Sequence, residues 1–286
     1  MKNKKISSLI IMLIIATAFF LQNFTDDFNS TRLNTENAVS VTFLDVGQGD
    51  SALIRIGNKT VLVDGSEKKH SERIADFLIS EDVNEITYLI ATHPHADHIG
   101  GLSYIIKNFD VKNIYMPKVA ANTNTFLNLL DAIEAKGLMI DAPNPGDVLA
   151  IGDAKITFFA PIREFDDLNN SSIVFKLVYG KHSFLFTGDA EKESENDILN
   201  HGFELKSTVI KVPHHGSSTS STKKFISAVQ PDYAVISAEK GNSYGHPHAE
   251  VIDRYKNINS IILQTMNSGN ITFISDGEVI KYETER

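Results

Sequence analysis

Thr92-His93-Pro94-His95-Ala96-Asp97-His98 stands directly behind the apolar run Tyr88-Leu89-Ile90-Ala91. A short apolar run of this kind reads as a buried strand, and the residues behind a strand are delivered into a loop at the sheet edge. In extended backbone alternate side chains share a side. His93 and His95 can therefore grip one cation while Asp97 and His98, beyond a bend, grip a second. The chain has no cysteine, which excludes disulfides and thiolate metal sites, so any metal is held by imidazole and carboxylate. Zinc and manganese both accept that donor set.

Three other stretches repeat the arrangement of strand, then chemistry. Gly188-Asp189 comes after the strand-like Ser183–Phe186, and a carboxylate with two oxygens can bridge two cations, the role expected of Asp189. Pro213-His214-His215-Gly216-Ser217-Ser218 comes after Val209–Val212, and Gly245-His246-Pro247-His248 after Ala234–Ser237. Seven of the ten histidines thus fall in three strand-end loops, and such loops converge on one edge of a layered sheet. His248 by itself is expected to be an exposed loop histidine. Asp64 closes the run Val61-Leu62-Val63 and is expected to accept the second N–H of a metal-binding imidazole. Asp45-Val46-Gly47-Gln48-Gly49-Asp50 is a glycine-spaced polar loop whose backbone can come close to a ligand.

Around these loops the pattern is layered. Val39, Val41 and Phe43 alternate with polar residues, and Ala52–Ile56 and Thr60–Val63, joined by Gly57-Asn58, complete a meander. Ile74, Phe77 and Leu78 mark a helix; Phe126, Leu129, Leu130 and Ile133 mark another, closed by Gly137. Strands are expected at Ile156–Phe159, Ile173–Val178 and Ile261–Leu263, with a terminal hairpin at Asp276-Gly277. The whole predicts two β-sheets packed face to face with helices outside, in one domain over residues 39–286.

The N-terminus differs in kind. Lys2, Lys4 and Lys5 precede an apolar run, Leu9–Leu21, that only Thr17 interrupts. Residues 1–24 are expected to be a signal peptide or an N-terminal membrane anchor, and the polar residues 25–38 a flexible linker. Removing the four basic and three acidic residues of the first forty from totals of 27 and 36 leaves the remainder at −10. So acidic a domain does not coat nucleic acid by overall charge, although carboxylates gathered around divalent metals are neutralised locally. Lys206, Lys211, Lys223 and Lys224 form either a local basic strip near the double histidine or an ordinary solvated face.

Together these residues resemble the metallo-β-lactamase superfamily, and within it the nuclease-like domain of the ComEC-type DNA-uptake proteins. The matching pieces are residues 43–51, the cluster His93–His98 with Gly100-Gly101, Asn169-Asn170-Ser171-Ser172, Thr187-Gly188-Asp189, His214-His215-Gly216-Ser217 and residues 242–247. The resemblance implies an α/β fold, a four-layer αββα sandwich, with two divalent metal ions, zinc or manganese, at one edge. It implies metal-dependent phosphodiester hydrolysis, with DNA as substrate. No obligate protein partner is inferred from the sequence. A phosphorylcholine-type esterase acting on envelope polymers and a non-catalytic DNA-binding module are the alternatives. A β-lactamase is disfavoured, because no histidine lies between His98 and His182 to complete the first site. On this reading His93, His95 and His215 serve one metal, Asp97, His98 and His246 the other, and Asp189 both. Asp64 and His214 are the catalytic candidates, and His214 contacts the phosphate or protonates the leaving oxygen. Asp45, Gln48, Asp50, Asn170, Ser172 and Ser217 are the substrate-binding candidates. With a single apolar segment the chain is expected to be a stand-alone, extracytoplasmic version, secreted or membrane-tethered, with no translocation channel.

Overall fold

The computed structural model describes residues 38–286, so the leader over 1–24 and nearly all of the 25–38 linker lie outside the described residues. No helix among the described residues is long and apolar enough to cross a membrane. Among these residues fifteen strands form two mixed sheets. In the first, β1 (Val39–Phe43), β2 (Ala52–Ile56) and β3 (Lys59–Val63) form the antiparallel meander, and β4 (Glu85–Ile90), β5 (Asp110–Tyr115) and β6 (Ile140–Asp141) add on in parallel. The C-terminal hairpin β14 (Ile271–Ser275) and β15 (Ile280–Thr284) closes the other flank of this sheet beside β1. The second sheet runs antiparallel through β7 (Val148–Ile151), β8 (Ala154–Ala160), β9 (Val174–Tyr179) and β10 (His182–Phe186). It continues in parallel through β11 (Val209–Lys211), β12 (Tyr233–Ile236) and β13 (Ile261–Gln264).

Alternation along each strand sorts the core into layers. Val61 and Val63 point into the space between the sheets while Leu62 points to the helices outside. Phe43, Phe175 and Phe186 fill the inter-sheet layer as a stack, with centroids 4.7 Å apart for Phe175 and Phe186 and 5.6 Å for Phe43 and Phe186. Helices α1 (Ser71–Ser80), α2 (Ala96–Ile99), α3 (Leu102–Asn108) and α4 (Asn124–Ala135) cover the first sheet. The second is covered by α5 (Lys192–His201), α6 (Lys223–Val229) and α7 (Ala249–Lys256). The result is the αββα sandwich expected from the sequence. Each large apolar side chain fully buried here contributes about 1.5–3 kcal/mol, which gives a frame stiff enough to hold strained loops at its edge.

Those loops leave the C-terminal ends of the parallel strands β3, β4, β10, β11 and β12, the edge where α/β sheets place ligands. Close backbone crossings latch them together: Asp50 N donates to Asp97 O at 3.1 Å and Gly65 N to His98 O at 2.6 Å. Gly49 is required by this crossing, because a Cβ there would lie 2.3 Å from Asp97 O on a backbone already at φ +115°.

Candidate metal centre

Asp189 is the hub of the edge. Its Oδ1 lies 3.2 Å from His98 Nε2, and its Oδ2 lies 3.5 Å from His215 Nε2 and 3.8 Å from both His93 Nε2 and His214 Nε2. His93 Nε2 is 3.0 Å from His95 Nδ1, and His215 Nε2 is 3.2 Å from Asp97 Oδ2. Asp97, His98, Asp189 and His215 each offer a ligand atom within 4.8 Å of the others. His93, His98, Asp189 and His215 are buried, and Asp97 and His95 open toward the cleft. The double histidine reaches the cluster through strained backbone: His214 and His215 both have positive φ, 49° and 52°, a conformation costing about 1–3 kcal/mol per residue that persists only where the surroundings enforce it.

The donor set fits divalent cations. His98 Nε2 and Asp189 Oδ1 are buried 3.2 Å apart and Asp50 Oδ1 lies 3.4 Å from His215 Nδ1, ionic contacts that fall short of hydrogen-bond geometry. Buried polar atoms aimed at one another without bonding are costly unless a cation lies between them. Burial drives His93 well below the ordinary imidazole pKa, and His98 beside it adds to the effect. Burial acts the same way on His98 and His215 but is outweighed by Asp189, together with Asp64 for His98 and Asp50 for His215. His98 is raised well above the ordinary value and His215 to about 10. Metal binding to the same atoms releases those protons.

The surrounding shell is built from Asp64, whose backbone also has positive φ (58°). Its Oδ1 accepts from Thr92 N at 2.7 Å, and its Oδ2 accepts from Thr92 Oγ1 at 2.7 Å and from His98 Nδ1 at 2.8 Å. Buried at 1% exposure, Asp64 acts through His98 and cannot touch substrate, which corrects its placing among catalytic groups. Asp64→Asn is expected to weaken divalent-metal affinity about 10–100-fold, the usual effect of losing such a partner. Calorimetric metal titration checks it, and unchanged affinity would remove this role.

Several sequence expectations change. His215 joins Asp97 and His98 rather than His93 and His95: its Nε2 lies 3.2 Å from Asp97 Oδ2 and its ring 5.3 Å from that of His98. His246 lines the same cleft as His214 and His215 but stands at its rim, its ring 5.6 Å from His214 and 6.2 Å from His215. Burial, then the two neighbouring imidazoles, lowers its pKa to about 4. Of the substrate-binding candidates, Gln48 lines the cleft. Asp45 is turned away and pairs with Arg286 and, at 3.8 Å, Arg73. Asp50 is buried beneath the cluster, paired at 2.7 Å with Lys211. That ion pair also withdraws Lys211, 4% exposed, from any basic strip. Asn170 is consumed by the turn into α5, its Oδ1 accepting from Glu191 N and Ser194 N, and its neighbour Asn169 is the one facing the cleft. Ser172 Oγ accepts from Asp189 N at 3.1 Å and so sets the hub. Ser217 is buried, its hydroxyl bonded to Thr219 Oγ1 at 3.0 Å. His248 is a brace rather than an exposed loop residue: its Nδ1 accepts from Ser218 N at 2.9 Å. Glu191 is a functional residue that the sequence motifs do not mark; its Oε1 lies 3.0 Å from His214 Nδ1 and accepts from Thr219 Oγ1. Hydrogen bonding from His214 is the main cause of its lowered pKa. The spacing Asp189-Ala190-Glu191 was the available signal, since alternate residues share a side.

Two mixed sheets face to face, helices outside and a His/Asp cluster at the ends of the parallel strands define an αββα sandwich with a candidate metal site at one edge. The family model described as Metallo-beta-lactamase superfamily matches residues 44–239, and the chain belongs to that superfamily. Within it the sequence is of the ComEC-type competence branch. It is 33% identical over 254 residues to "ComE operon protein 3" of Bacillus subtilis (strain 168), covering 82% of this chain and 32% of that protein. It is 30% identical over 244 residues to "Competence protein ComA" of Neisseria gonorrhoeae, covering 83% and 32%. The chain spans about a third of the length of these relatives. The solved structure of Tm1679, a metal-dependent hydrolase of the β-lactamase superfamily, is similar in fold, with a TM-score of 0.54 at 13% identity over 81% of this chain and 98% of that one.

Proposed function

We propose that this protein is an extracytoplasmic metal-dependent phosphodiesterase acting on nucleic acid, with DNA the foremost substrate, delivered outside the cytoplasm by its N-terminal segment as a secreted or membrane-tethered enzyme. The observation that carries the reading is the convergence of His93, His98, His215 and Asp97 on Asp189, with buried ionic contacts among them that fall short of hydrogen-bond geometry. His93, His95 and Asp189 would hold one divalent ion, and Asp97, His98, His215 and Asp189 a second, zinc and manganese both suiting these nitrogen and oxygen donors. Bound there, such ions supply an activated water nucleophile and charge neutralisation at phosphoryl oxygens. The chain's own residues do the rest. Glu191 accepts from Nδ1 of His214 and so fixes the ring with Nε2 toward the cleft, where, in its imidazolium form with a proton on each nitrogen, it can pass the Nε2 proton to the leaving oxygen. Gln48 and Asn169 line the cleft of about 300 Å³ with amide donors for the phosphate. The competence-protein relatives and the acidic net charge together favour a nuclease that meets DNA at this site over a module that coats it.

Purified protein is expected to cleave DNA in the presence of manganese or zinc, to lose that activity on chelation, and to regain it on adding back the ion. Faster turnover of p-nitrophenyl phosphorylcholine or of nitrocefin than of DNA would replace this reading with an envelope esterase or a β-lactamase. DNA binding that survives chelation, with no hydrolysis in any divalent ion, would replace it with a binding module.

A further inference from the structure

Tyr244 stands at the mouth of the cleft with 64% of its surface exposed. One face of its ring lies against His246, with centroids 5.6 Å apart and planes at 19°. His246 in turn packs against His214 and His215, so two ring steps connect the tyrosine to the metal-binding cluster. Among the described residues its phenol has no hydrogen-bond partner. Its openness does not come from a slack loop. Asn242 Oδ1 accepts from Tyr244 N at 3.1 Å and from His246 N at 3.0 Å, while its Nδ2 donates to Glu239 O at 2.8 Å and His246 O at 2.6 Å. His248, with Nδ1 occupied by Ser218 N, donates from Nε2 to Tyr244 O at 3.3 Å. A braced loop therefore presents an aromatic face to the cleft, although neither a hydroxyl bond nor core burial calls for a tyrosine there.

We infer that Tyr244 is the platform on which an unpaired nucleobase next to the scissile phosphate stacks, and that the preferred substrate is accordingly single-stranded nucleic acid or a frayed end. The inference rests on the reading of the site as a nucleic-acid phosphodiesterase. Stacking on an aromatic face is tolerant of sequence, because every base has a π-face, and it demands a base already out of its duplex. Inside a closed duplex both faces of each base are taken, and extrusion costs a few kcal/mol.

The test uses the metal-loaded protein and its Tyr244→Ala and Tyr244→Phe variants on a single-stranded oligonucleotide, on a blunt duplex of the same sequence, and on the single strand with abasic sites flanking the cleaved position. The wild type is expected to prefer the single strand to the duplex and to lose roughly tenfold or more in kcat/KM, mostly through KM, on the abasic strand. Tyr244→Ala is expected to lose the same factor on the intact strand and little further on the abasic one, while Tyr244→Phe keeps the wild-type preference. Equal losses for Tyr244→Ala on intact and abasic strands would show that the ring acts only by supporting His246, and the inference falls. It falls equally if Tyr244→Ala behaves as wild type on a strand that the wild type cleaves, and the nuclease reading then survives. Turnover of bis(p-nitrophenyl) phosphate with no cleavage of any oligonucleotide would overturn the nuclease reading itself, and this inference with it.

Discussion

Asp189→Asn is expected to lower metal-dependent phosphodiester hydrolysis by about 10³-fold or more while leaving the fold in place. Divalent-ion stabilisation of a phosphoryl transition state is worth several kcal/mol, and each 1.36 kcal/mol is about a factor of ten in rate. Among the described residues Asp189 is the side chain whose two oxygens reach His93, His98, His214 and His215 together. The amide keeps the volume, and Ser172 still receives Asp189 N. The anionic charge and one of the two carboxylate oxygens disappear. Burial would raise the Asp189 carboxyl, yet His98 and His215 hold it well below the ordinary range, so it is anionic whenever the enzyme works. Turnover of bis(p-nitrophenyl) phosphate with a matched circular-dichroism melt reads the effect. A variant with native secondary structure and turnover within tenfold of wild type would mean that Asp189 bridges nothing, and the binuclear proposal would go with it.

The legible part of this molecule comes from period and spacing. The strands carrying the chemistry were readable because β3, β4, β10 and β11 are apolar runs ending abruptly in histidine or aspartate. Their convergence came from strand ends sharing one edge. The edge strands β6 and β7 were not readable: they are short and mostly exposed, so no alternation marks them. The grouping of His215 with Asp97 and His98 was also beyond reach, because alternation says which side a residue takes along one strand and nothing about which cluster a strand from the other sheet will meet. His215 shows this. The same limit applies to loop neighbours: one residue's difference decides that Asn169 faces the cleft and Asn170 the α5 turn. Lys211 departs from expectation for another reason. A lysine beside the double-histidine loop suggests a solvated strip, but β11 lies between β10 and β12, and its partner Asp50 lies in the other half of the fold.

That buried pair carries the second large expectation. Lys211 Nζ lies 2.7 Å from Asp50 Oδ2, with the two side chains 5% and 9% exposed, and it donates to Val212 O at 3.0 Å. Burial would raise the Asp50 carboxyl, but Lys211 first and His215 next outweigh it and hold it at about 2. Lys211→Met keeps the aliphatic stem and leaves an anion under the metal cluster facing only His215 at 3.4 Å and His98 at 4.0 Å. Breaking one partner of a buried pair costs about 3–5 kcal/mol, so the melting temperature is expected to fall by on the order of 10 °C, at about 2–4 °C per kcal/mol for a domain near this size. Asp50→Asn combined with Lys211→Met should recover most of the loss, because the penalty belongs to the stranded charge rather than to the missing attraction. A single variant melting within about 2 °C of wild type, less than one kcal/mol on that scale, would show that the site already compensates Asp50 without its lysine. Asp50 would then have to be charge-balanced by His98 and His215, competing with Asp97 and Asp189 for the same two imidazoles.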